Sequence, residues 1–111
     1  MAVGMSIFEL HLPQARSLKD KRKIVKSLVD RIHRRYRVSV AETDLHDLHQ
    51  RSELSIAAVG RSDGEVEKLL ESLRRLIEEE PAAILTLWSP QILCPAELAE
   101  SDAPWSADER S

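Results

Sequence analysis

The chain reads as strand, helix, strand, strand, helix, strand, and that order predicts an α+β fold, a ferredoxin-like βαββαβ sandwich. Three observations carry the expectation. Residues 17–37 and 64–80 repeat apolar side chains at three- and four-residue steps, so each forms a one-sided helix. Residues 3–12, 38–42, 52–59 and 83–88 are short, apolar and rich in β-formers. Right-handed crossovers then set both helices on one face of a four-stranded antiparallel sheet, in strand order 4-1-3-2.

The first strand, VGMSIFELHL, places Ser6, Phe8, Leu10 and Leu12 on one face. Val3, Met5, Ile7, Glu9 and His11 share the other. Both faces are apolar over the first half, so this strand is central. Pro13 stops it. The first helix follows, with Ser17 as cap and Asp20 where the acidic member of a capping box belongs. Leu18, Ile24, Val25, Leu28, Val29, Ile32 and Tyr36 form its stripe. Lys21 falls inside that stripe, and two readings stand open. Its stem covers the core while the ammonium snorkels out, or it joins Arg16 and Arg22 at the helix N-terminus in an anion site.

Residues 38–42 form a second strand, 43–51 (TDLHDLHQR) a polar connection, and 52–59 a third strand. Residues 60–63 make a turn that offers Ser62 or Asp63 as cap for the second helix. There Val66, Leu69, Leu70, Leu73, Leu76 and Ile77 line one side, and Glu71 and Arg75 stand as an i,i+4 pair. Pro81 ends this helix before the fourth strand. One ferredoxin-like domain over residues 1–94 is expected, then a flexible acidic tail at 95–111 with five acids against one Arg. The exposed sheet face, with Val3, Met5 and Ile7, predicts a homodimer.

Charge is the strongest functional signal. Residues 16–37 hold ten Lys or Arg against two Asp, a balance of +8, although the whole chain stands at −3. Folding a small domain requires no such asymmetry. A helix of this length lies across several phosphates of a nucleic-acid backbone. Arg16, Lys19, Lys21, Arg22, Lys23, Lys26, Arg34 and Arg37 are the expected RNA or phosphate contacts. No apolar run is long enough to span a membrane, no secretory signal is evident, and Cys94 is the only cysteine, so a cytoplasmic protein is expected.

Chemistry is harder to find. Strand pairing brings Glu9 and His11 near Arg51 and Glu53, a polar cluster able to do acid–base work, but without a nucleophile beside it. The loop motif D-L-H-D-L-H holds two His three apart with no third fixed ligand, so no metal is expected. Phosphate-loop, dinucleotide-binding, nucleophile-elbow and C-x-x-C motifs are all missing, and no catalytic residue or cofactor is assigned. An acylphosphatase needs an Asn to orient water, and this chain contains none. An RNA-recognition motif stacks bases on sheet aromatics, whereas Phe8 falls on the core face.

The run ELHLPQARSLKDKRKIVKSLVDRI (residues 9–32) resembles the signature of the bacterial YlxP family, a domain of unknown function. VSVAE, DLHQRSEL and AAVG further on resemble its later blocks. The matching residues are Arg16, Ser17, Leu18, Lys19, Lys21 and Arg22, with Glu42, Gln50 and Arg51. Many relatives carry an aromatic in the second block where this chain has His49. The resemblance implies a small ferredoxin-like protein, and the company of its genes (termination, initiation and ribosome maturation factors) implies an RNA- or ribosome-associated role. It implies no catalytic residue. The function expected is therefore that of a non-enzymatic RNA-binding accessory protein. A module docking an acidic protein is the alternative, followed by a small phosphate-ligand hydrolase using Arg16, Lys21, His11 and Glu9.

Overall fold

A computed structural model describes residues 1–93. Its elements are β1 (Ala2–His11), α1 (Leu18–Arg35), β2 (Ser39–Asp44), β3 (Arg51–Gly60), α2 (Asp63–Glu78) and β4 (Ile84–Leu93). The sheet order is β2-β3-β1-β4 with every neighbouring pair antiparallel, as the sequence predicts. The acidic tail at 95–111 lies outside the described residues.

Alternation along β1 sorts its side chains as expected. Phe8, Leu10 and Leu12 are fully buried, whereas Met5 and Ile7 are exposed. β3 matches it register for register, burying Ser52, Leu54, Ile56 and Ala58. The helices close this face with Leu28 and Ile32 from α1 and Val66, Leu70, Leu73, Leu76 and Ile77 from α2. Phe8 and Trp88 meet with ring centroids 5.7 Å apart. Gly4 has a packing reason to be glycine, because a Cβ there would overlap Val66 Cγ1.

Both helices begin with the same device. Ser17 Oγ accepts from the Asp20 amide at 3.1 Å, and the Asp20 carboxylate accepts from the Arg16 amide at 3.0 Å. In α2, Ser62 accepts from the Glu65 amide and Glu65 from the Arg61 amide. These are capping boxes whose acidic residue reaches one position before the cap.

β4 differs most from expectation. It continues past Trp88, through Pro90, to Leu93. β4 is an edge strand, where a residue without an N–H is tolerated if that position faces away from the ladder. Register shifts mark both edge strands, at Thr43 in β2 and at Thr86 in β4.

Candidate nucleic-acid interface

α1 turns one side to the core and one to water, and ten cations of residues 16–37 separate accordingly. Seven of the eight expected phosphate contacts are exposed: Arg16, Lys19, Arg22, Lys23, Lys26, Arg34 and Arg37. Lys19, Lys23, Lys26 and Arg34 follow three- and four-residue steps along the outer face, with Arg22 beside them. From Lys19 to Arg34 the face runs ~22 Å at the α-helical rise. Lys26 is paired with Asp30 at 2.9 Å, but in water such a pair contributes little and opens readily. Among the described residues the other six have no ion pair or side-chain hydrogen bond. Two cations outside that set are engaged elsewhere: Arg31 with Glu80 at 3.1 Å, and Arg35 over the Tyr36 ring at 5.8 Å.

Lys21 is the exception, and both sequence readings of it are corrected. It is 1% exposed. Its ammonium does not snorkel out, nor does it stand with Arg16 and Arg22. It points inward and pairs with Glu42 Oε2 at 2.9 Å. It also donates to the carbonyl oxygens of Leu45 at 2.8 Å, His46 at 3.3 Å and Arg51 at 3.3 Å. The Ser52 hydroxyl donates to the same Glu42 oxygen at 2.8 Å. A buried charge persists only when paired and hydrogen-bonded throughout, and Lys21 meets that condition. Lys21 is thus removed from the phosphate contacts. At the helix N-terminus Ser17 takes the Asp20 amide, and the Asp20 carboxylate, which accepts from the Arg16 amide, places a negative charge where an anion would have to sit.

The network ties the loops flanking α1 and β3 into one end of the molecule. Leu12 donates its amide to the Gln50 carbonyl at 2.8 Å, and Gln50 Nε2 reaches the carbonyls of Pro13 and Ala15 at 3.3 Å. Leu45 turns this loop with φ at 63°, a conformation uncommon for a non-glycine residue. The Lys21 bond to its carbonyl helps to hold it there. Glu42 and Gln50, motif residues to which sequence reasoning gave no role, are therefore parts of a clamp. A signal for it existed: Lys21 breaks the apolar stripe of the helix, and Glu42 breaks the apolar face of Val38 and Val40. Two violations of opposite sign were facing each other.

On the other side of the sheet the polar cluster assembles as expected. Glu9 stands opposite Glu53 and His11 opposite Arg51. Arg51 Nη2 pairs with Glu9 Oε1 at 2.8 Å, and Glu53 accepts from the Thr43 hydroxyl at 2.7 Å, which also lies 2.9 Å from Ser55 Oγ. Both carboxylates are thereby held by neighbours, so the arrangement is that of a surface ion-pair group. In the D-L-H-D-L-H loop, His46 Nε2 lies 3.2 Å from the Glu42 carbonyl, and among the described residues no three metal-ligating side chains converge.

Comparison with known proteins places the chain in a family. Residues 3–89 match the profile of a family described as Protein of unknown function (DUF503). The chain belongs to this family. It is also 33% identical over 79 residues to the uncharacterized protein YlxP of Bacillus subtilis (strain 168), covering 71% of this chain and 86% of that protein. The family segment ends within β4, so it takes in both helices, the clamp and the whole basic face. Among the described residues no helix is long and apolar enough to cross a membrane.

Proposed function

We propose that this is a non-enzymatic RNA-binding accessory protein of ribosome maturation or translation, gripping backbone phosphates through the outer face of α1. One observation carries the reading: six exposed cations on and beside one helix have no ion pair or side-chain hydrogen bond among the described residues. Unmatched charge on a folded surface costs self-repulsion and is most simply explained by an anionic partner. The spacing suits a polyanion better than a single phosphate, because the cations form a line rather than a pocket. Phosphate contacts of this kind read shape and charge, not sequence. The link to the ribosome rests on the genes that accompany YlxP-like proteins.

Retention of bulk ribosomal RNA on filters tests the proposal. Six neutralised phosphates predict an affinity loss on the order of 10³ between about 50 and 200 mM salt. Absence of retention at low salt would sink the RNA reading and favour an acidic protein partner.

A further inference from the structure

We infer that the open face of the sheet is a homodimer interface, covered by a second copy of this chain. The inference stands apart from the RNA reading, because it concerns the opposite side of the molecule.

Exposed large apolar side chains are distributed unevenly. Met5, Ile7, Val59, Ile84 and Leu87 are each at least 36% exposed, and all five lie on the open sheet face. None of the exposed large hydrophobics among the described residues lies on α1 or α2. The register shows how the five are arranged. Ile84 stands opposite His11, Leu87 opposite Glu9, and Val59 opposite Val3, with Ile7 and Met5 between on β1. They form one continuous diagonal stripe from the start of β4, across the middle of β1, to the end of β3.

The shape of that stripe argues for a second copy. It crosses two strand spacings while advancing eight residues, so it is tilted by ~20° from the strands. A two-fold axis in the plane of the face, along or across the stripe, lays the stripe on its own counterpart. Strands of the two copies then cross at ~40°, close to the ~30° at which twisted sheets pack face to face. The charged groups suit the same arrangement. Glu9, Arg51, Glu53 and Asp44 sit together at one corner, where Glu9 and Arg51 are already paired. The axis across the stripe carries this corner away from its own copy, so like charges do not meet. The axis along the stripe would set Glu9, which stands opposite Leu87, beside its own counterpart and is thereby disfavoured. Beyond that corner the strands carry no Asp, Glu, Lys or Arg on this face among the described residues. Four strands of up to ten residues give a flat area of ~600 Å² per copy, below the ~800 Å² per partner of a standard interface. The dimer is therefore of modest affinity.

Sedimentation equilibrium of the full chain, from about 10 to about 300 μM, covers the range in which such an interface dissociates. The mass is expected to rise from 12.6 kDa toward twice that value. Ile7→Glu combined with Leu87→Glu is expected to stay monomeric throughout, with unchanged far-UV circular dichroism, and with a thermal midpoint that, unlike that of the wild type, does not rise with protein concentration. Val59→Lys, at the far end of the stripe, is expected to weaken self-association about tenfold. A wild-type protein that remains at 12.6 kDa overturns the inference. So does a double variant that dimerises as the wild type does.

Discussion

α1 and α2 are nearly equal in length, begin with the same cap and lie on the same face of the sheet, yet their outer charges behave in opposite ways. α2 matches its two arginines internally: Arg74 pairs with Glu71 and Glu78, and Arg75 pairs with Glu71. Among the described residues α1 has one such pair, Lys26 with Asp30, and leaves a row of cations unmatched. Their inner sides differ as well. α2 buries only apolar side chains, whereas α1 buries Lys21 among its leucines and isoleucines. α2 is a structural helix throughout. α1 uses charge twice, once inward to lock a loop and once outward to remain free.

Breaking the outward use should give the largest effect. Reversing Lys19, Lys23, Lys26 and Arg34 to Glu is expected to lower affinity for bulk ribosomal RNA by ~10³ or more at low salt, without changing the helical circular dichroism. Truncating Arg74 and Arg75 to Ala in α2 should leave retention within about threefold, since those charges are already neutralised. If the two variants bind alike, the contrast between the helices is not functional.

The inward use is tested by stability. Lys21→Met strands the Glu42 carboxylate and is expected to cost ~3 kcal/mol in urea unfolding. Lys23→Met, two residues along but exposed, should stay within about 0.5 kcal/mol. Pairing Lys21→Met with Glu42→Leu should recover part of the loss, because no charge is then left without its partner. Equal losses for Lys21→Met and Lys23→Met would refute the clamp.

The smallest effect concerns what the helices share. Ser17→Ala and Ser62→Ala should each cost ~1 kcal/mol, and by similar amounts, as the two caps have the same geometry. A marked inequality in thermal denaturation would show that the Lys21 clamp also supports the first turn of α1.

Most of the fold was legible because its signals are local. Periodicity marked both helices, Ser17 marked the start of the first and Ser62 or Asp63 that of the second, and alternation in β1 assigned Phe8, Leu10 and Leu12 to the core. β4 was read too short because Ser89 and Pro90 look like a strand end, although the order 4-1-3-2 already made this strand an edge, where a proline is tolerated. The site was legible in part for the same reason. Exposure of Lys19, Lys23, Lys26 and Arg34 follows from the helical repeat alone. The destination of Lys21 does not, since Glu42 lies 21 positions later on another element and meets it only once register is set. A residue that breaks a local rule can be spotted in sequence. Its compensation cannot be located until the fold supplies the neighbour.

The interruptions in the two outermost strands have a further consequence. An unbroken edge presents a row of free amides and carbonyls on which another chain can polymerise, strand upon strand. Here Thr43 kinks one border, and Thr86 and Pro90 disrupt the other. These interruptions oppose growth of the sheet in its own plane, and the two-fold pairing proposed for its broad side would be self-limiting, stopping at two copies.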